Sequence, residues 1–110
     1  MKIEETKNEH AFIVKITGKL DTTNYRHFEN TMLDVLETER NVLIDCTDMT
    51  YISSAGIRVF LMTLKRLQNE NGQLKLCGLK NDTKEIFDIS GVTELFEIYS
   101  TPLEAYKNFD

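Results

Sequence analysis

The sequence predicts an α/β domain: one mixed β-sheet with about four helices, in the order β-β-α-β-α-β-α-β-α. Three observations predict it. Short β-branched runs recur along the chain, and segments with apolar residues every three or four positions fall between them. The first two runs are separated only by a turn signal, Asn8-Glu9, whereas a helical segment precedes each later run. Strand–helix–strand units favour parallel pairing through right-handed crossovers, so a hairpin followed by such units gives a mixed sheet covered by helices on much of one side. Finally, 110 residues without a linker, repeat or low-complexity stretch fit a single domain, residues 1–110, with one core.

Met1 to Glu5 reads as a weak first strand. Ala11 to Ile16 is β-branched and ends at Thr17-Gly18, which makes the second. Asp21-Thr22-Thr23 offers helix N-caps. Tyr25, Phe28, Met32, Val35 and Leu36 then follow at helical spacing. Asn41 to Cys46 is almost continuously apolar, as expected of a strand buried on both faces. A short polar turn is expected after it, before Tyr51-Ile52. Ile57, Phe60, Leu61, Leu64 and Leu67 form the clearest amphipathic helix, which stops near Asn71-Gly72. Gln73 to Cys77 is a further strand. Asp82-Thr83-Lys84-Glu85 has the form of a capping box for a short helix through Ile86 and Ile89, closed by Gly91. Phe96 to Tyr99 is the last strand. Thr101-Pro102-Leu103-Glu104 is a second capping box with proline at the first helical position, opening a helix with Leu103, Tyr106 and Phe109. Phe28, Phe60, Phe87, Phe96 and Phe109 are expected in the core.

Composition narrows the function classes. The net charge is -5, with no basic stripe, which argues against direct nucleic-acid binding. Cys46 and Cys77 each end an apolar run and read as buried thiols. His10 and His27 share no metal-ligand spacing with them, so no metal is expected. Glycine loops that cradle phosphates are missing, and no cofactor is expected. The start has no apolar signal region and no run has the length of a membrane span. A cytoplasmic monomer is the expectation, since one core accounts for the apolar pattern.

The informative stretch runs from Leu43 to Leu61. A buried strand leads through Asp45-Cys46 to Tyr51-Ile52, and Ser53 and Ser54 stand where a helix begins. Helix N-termini leave N–H groups unpaired and favour negative charge, so a hydroxyl there is a cap or a phosphate site. Gly56 in the first turn costs roughly 1 kcal/mol of helix propensity against Ala, which close approach by a neighbouring backbone or a partner would explain.

The run Tyr51-Ile52-Ser53-Ser54-Ala55-Gly56-Ile57-Arg58-Val59-Phe60-Leu61 resembles the signature of STAS domains of bacterial anti-sigma factor antagonists. Gly18-Lys19-Leu20-Asp21 resembles that family's strand-end Gly-x-Leu-Asp. Ile86 to Val92 resembles its third helix and turn. The resemblance spans nearly the whole chain and implies the STAS fold and a partner switch in transcription regulation. The unphosphorylated antagonist binds an anti-sigma factor that is also an ATP-dependent serine kinase, and so frees the sigma factor. Phosphorylation of one serine breaks the complex, and a metal-dependent serine phosphatase resets it. That acceptor maps onto Ser54, two residues before Gly56, with Ser53 as the alternative. Many members carry Asp at the position of Ser53 and a second hydroxyl at that of Ala55.

The partner-binding residues implied are Asp21, Thr22, Asn24, Ser53, Ser54, Ala55, Gly56 and Arg58. Asp21 reads equally as a helix N-cap, and Thr22, Thr23 and Asn24 as caps and solvated surface. Arg58 and Lys65 belong on the exposed helix face. The fold that the resemblance implies places Asp21 and Asp48 near Ser54. An enzyme with Ser54 as nucleophile would need a base and an oxyanion hole, and the chain has no Gly-x-Ser-x-Gly elbow. The other reading is a STAS adaptor subunit of a transport or signalling complex that works without phosphorylation.

Overall fold

The computed structural model describes residues 1–109. Five strands form one sheet: β1 (Lys2–Lys7), β2 (Phe12–Leu20), β3 (Asn41–Ile52), β4 (Gln73–Cys77) and β5 (Glu97–Tyr99). They lie side by side in chain order; β1 is antiparallel to β2 and every later pair is parallel. The helices are α1 (Tyr25–Leu36), α2 (Ser54–Asn69), α3 (Asn81–Ile89) and α4 (Pro102–Tyr106). This is the predicted order, with one addition, a 3-10 turn at Thr93–Leu95.

Because the strand order never reverses, crossovers of one hand place α1, α2 and α3 on the same face. Val14, Ile16, Val42, Ile44, Leu74 and Leu76 point to that face and share one core with the three helices. Phe60 of α2 is central to it. Its ring centroid lies 5.5 Å from Phe28 of α1, 5.7 Å from Phe87 of α3 and 6.3 Å from Phe96. Tilted and edge-on pairs of this kind add to the plain burial of area. The alternate residues Ile13, Leu43 and Cys77 point to the opposite face, where α4 packs through Ala105. Cys46 and Cys77 are both buried and free, and they belong to cores on opposite sides of the sheet.

Several expectations need correction. No turn interrupts β3 after Cys46. Thr47 falls in a register shift, but β3 continues because β2 resumes pairing at Thr17 and Asp48 and runs on to Leu20 and Ile52, with a second shift on the way. Met49 and Ile52 remain fully buried. On α2, Val59 and Thr63 join the buried face, while Leu61 and Leu64 are only half-buried. Thr63 is admitted to the core because its hydroxyl donates to the Val59 carbonyl one turn back, at 2.8 Å. No side chain caps α3, whose N-cap position is Lys80 rather than Asp82. Its buried residues are Thr83 and Phe87, and Ile89 faces out. In α4 the cap Thr101 accepts from the Glu104 amide as expected. Leu103 is exposed, however, and Phe109 lies half-buried in the minor core instead of the main one.

The end of α2 carries the expected stop signal with the roles exchanged. Asn71, not Gly72, takes the left-handed conformation, at φ 61°. The Gly72 amide then reaches back to the Leu67 carbonyl at 2.7 Å, closing the last turn.

Candidate functional site

The site lies where β2 and β3 end together. Leu20 and Ile52 form their last pair. One residue further on, the Ser53 amide donates to the Leu20 carbonyl at 2.9 Å. Ser53 is extended, and its hydroxyl oxygen accepts from the Gly56 amide at 3.2 Å. It is therefore the N-cap of α2, as its residue type suits. The Ile57 amide reaches the Ser53 carbonyl at 3.0 Å, the first bond of the helix.

These bonds separate two adjacent serines. Ser53 is buried, at 8% exposure, with its hydroxyl occupied by the cap. Ser54, the first residue of the helix, is exposed. The amides of Ser54 and Ala55 make no hydrogen bond among the described residues. A hydroxyl on Ser54 thus stands in solvent beside open donors at the positive end of a helix of 16 residues.

Gly56 is buried, and the reason is internal. A Cβ there would fall 2.9 Å from Ile52 Cγ1 and 2.9 Å from Leu20 Cγ. Both side chains are fully buried, so neither has room to yield. The close approach expected from a backbone or a partner comes instead from the two side chains that end β2 and β3. Ala55 is also buried, at 5% exposure, while Arg58 and Lys65 are exposed as expected.

Asp21 follows Leu20 and so lies next to Ser53. It is not the cap of α1. Its carboxylate accepts from the Thr23 amide at 2.9 Å and from the Thr23 hydroxyl at 2.6 Å, closing a turn before the helix. The Thr23 hydroxyl, then the Thr23 amide, hold this carboxyl below its ordinary value. Asn24 occupies the N-cap position of α1 but makes no capping bond. It staples the strand end instead: Oδ1 accepts from the Asp21 amide at 2.9 Å and Nδ2 donates to the Lys19 carbonyl at 2.9 Å. Thr22 is exposed at the tip of the same turn.

The strand ends therefore gather Asp21, Thr22, Ser53 and Ser54, and Asp48 is not among them. Its carboxylate pairs with Lys15 Nζ at 3.0 Å. Lys15 alternates with the core-facing Val14 and Ile16, so this pair lies on the other face of the sheet. The same pairing raises the Lys15 pKa.

Two residues that the sequence did not single out, Arg26 and Glu29, border the first turns of α2. They line, with Tyr25, the α1 side of a groove whose α2 side is Ala55, Arg58 and Val59. Arg26 stacks its guanidinium over the Tyr25 ring at 5.3 Å. The only signal for them was their position one and four residues after Tyr25, on the edge of the apolar stripe of α1. His10 lies in the turn between β1 and β2, at the opposite end of the sheet from Ser54, stacked on Tyr106 at 5.4 Å.

Known proteins share this sequence pattern and this fold. The family model of the STAS domain matches residues 2–105. The chain belongs to the STAS-domain family. Among curated relatives, this STAS domain is 35% identical over 99 residues to BtrV of Bordetella bronchiseptica, described as an anti-sigma factor antagonist, covering 89% of this chain and 85% of that one. It is 26% identical to the anti-sigma-B factor antagonist of Bacillus subtilis, covering 89% and 90%. In fold it is similar to a Thermotoga maritima protein also described as an anti-sigma factor antagonist, with a TM-score of 0.91, 16% identity and coverage of 97% and 93%. It is similar too to the Bacillus protein SpoIIAA in its phosphorylated form, with a TM-score of 0.75, 14% identity and coverage of 96% and 97%. Among the described residues no helix is long and apolar enough to cross a membrane.

Proposed function

We propose that this STAS domain is an anti-sigma factor antagonist switched by phosphate on Ser54. The observation that carries this is the division of labour between the serines: Ser53 is the buried cap and Ser54 the exposed hydroxyl. The names of the relatives supply the partner class, an anti-sigma factor. In the unphosphorylated state the surface formed by the half-buried Asp21 and the exposed Thr22, Ser54 and Arg58 docks an anti-sigma factor that is also a serine kinase, and the sigma factor is freed. The kinase then transfers the γ-phosphoryl group of ATP. The Ser54 Oγ–P bond forms, the bond to ADP breaks, and the serine proton leaves to a base of the kinase. A metal-dependent serine phosphatase hydrolyses the phosphate and resets the switch.

The phosphate adds about -1.5 to -2 charges and three acceptor oxygens. At a helix N-terminus it is tolerated by its own chain. The partner bears the cost, because docking must now desolvate a dianion beside Asp21. A loss of about 3 to 4 kcal/mol weakens binding roughly several hundredfold.

The test is intact-mass spectrometry after incubation with ATP and serine kinases of the anti-sigma type from the same source, with partner binding followed in parallel. One phosphate on Ser54 with release of the partner is expected. Ser54→Ala should bind and never be released, and Ser54→Asp should bind weakly while remaining folded. Equal kinase binding by the two variants counts against the switch. Stable binding to another complex with no phosphate acquired assigns the domain as a phosphorylation-independent adaptor.

A further inference from the structure

We infer that Arg58 is the internal counter-ion of a phosphate on Ser54, so that modification withdraws a cation from the docking surface as well as adding an anion. This rests on the reading of Ser54 as phosphoacceptor. The chain has four arginines, and three are engaged. Arg40 pairs with Glu70 at 2.7 Å and donates to the Leu36 carbonyl. Arg66 pairs with the same Glu70 at 2.9 Å. Arg26 lies over Tyr25. Arg58 is exposed and makes no ion pair or hydrogen bond among the described residues, although Glu29 lines the other side of its groove.

Arg58 is four residues after Ser54 on α2, and both are exposed. Residues at that spacing are neighbours on a helix surface, and an acid placed N-terminal to its base is the better orientation. A phosphoserine oxygen pairs with a guanidinium through short, charge-assisted bonds, for which the planar Arg fork is suited. The other charges around the position are Lys19 and Asp21 at the strand end and Arg26 and Glu29 on α1. The two acids oppose the phosphate. Arg26 lies over the Tyr25 ring. Arg58 is the cation left to take it.

The consequence is a double change of surface. Without phosphate, the partner meets a free guanidinium beside a neutral hydroxyl. With phosphate, the guanidinium turns back onto its own helix.

The test installs phosphoserine at position 54 by genetic encoding, so that no kinase is involved. The second ionisation of the phosphate, ordinarily near about 6, is followed by phosphorus NMR at low ionic strength. In Arg58→Gln the midpoint should rise by about half a pH unit, about a threefold change in proton affinity. Arg58→Lys should recover part of the difference, and Arg26→Gln should leave the midpoint near that of the parent. A midpoint unchanged in Arg58→Gln, or moved as much by Arg26→Gln, overturns the assignment. Either result leaves the kinase question separate: a phosphate that titrates as predicted but is never added by a cognate kinase strikes the proposed function and not this inference.

Discussion

Two serines in sequence do different work at this site, and their burial decides which does what. Ser53 spends its hydroxyl on the Gly56 amide inside the fold. Ser54 has no such bond and meets solvent. Ser53→Ala should therefore cost about 1 kcal/mol of stability, the usual worth of an N-cap. For a domain of this size that lowers the melting temperature by about 4 °C. Ser54→Ala should stay within about 0.5 kcal/mol of the parent, as exposed substitutions do. Calorimetric melts of the two variants check this pair. A larger loss in Ser54→Ala than in Ser53→Ala would reverse the assignment of cap and exposed hydroxyl. Gly56 belongs to the same small unit. The side chains of Leu20 and Ile52 occupy the space a Cβ would need, so the glycine fits the start of α2 down onto the strand ends.

Each element holds the site by a different device. The β2–β3 ladder brings Asp21 beside Ser53, and the Phe60 cluster fixes α2 against α1 and α3. On the far face, α4 and Phe109 cover Lys75, a buried lysine of β4 whose side chain is 2% exposed. Its ammonium pairs with Glu97 at 3.1 Å and lies 5.1 Å from the centre of the Phe109 ring and 5.7 Å from that of Tyr99. The lysine thus ties β5 and the C-terminal segment to the sheet through charge and ring faces together. Removing one partner leaves a buried charge, whereas removing the charge itself does not. Glu97 is largely solvated, which reduces the penalty. Glu97→Gln should cost about 1 kcal/mol, and Lys75→Met should cost less than that. Urea midpoints of the two variants test the order, and a Lys75→Met protein clearly the weaker of the two would show that the charge itself is stabilising.

At the scale of the whole molecule, pH acts from both ends. On the acid side, the carboxyl of Glu4 is lowered chiefly by its hydrogen bond to Lys2, and that of Asp21 by Thr23. A depressed folded value means stability that is present above the unfolded value and lost as pH falls through the folded one. Both groups are solvated, so the acid effect is small. On the alkaline side, burial pushes the Cys77 thiol from 9.0 up to about 12, with Asp45 adding to the shift. Burial raises Cys46 as well. The unfolded chain releases these protons first, so stability falls as pH rises from 9.0 toward about 12. Lys15, raised by Asp48, acts in the same direction: its contribution is complete below 10.5 and lost above it. Urea midpoints across the range from about pH 3 to about pH 11 should form a plateau with a steeper fall on the alkaline side. Cys77→Ala should flatten that alkaline fall. An unchanged slope would mean that Cys77 is not held protonated by its surroundings.

Element order, parallel pairing after the hairpin, the existence of α2 as an amphipathic helix and its stop at Asn71-Gly72 were all legible in the sequence, because each is set by periodicity, by connection length or by turn chemistry within a few residues. The choice of Ser54 over Ser53 came from the family signature, and the local pattern alone left both serines open. What burial and pairing decided was visible only in three dimensions. Thr47-Asp48 has the composition of a turn, yet the long-range pairing of Asp48 with Thr17 of β2 keeps the strand going past Thr47. The family resemblance implied Asp48 near Ser54, and the alternation of strand residues sends it to the other face and to Lys15. Leu103 and Ile89 sit on apolar positions of short helices, but each helix has one narrow contact, which Ala105 and Phe87 fill. The groove that sets Arg58 opposite Glu29 and Arg26 joins residues about thirty positions apart, and only the packing of α1 on α2 brings them together. Local pattern therefore determined which segments exist and in what order. The tertiary structure decided which side chains face each other, because burial is a property of the pair of surfaces that meet and not of either segment alone.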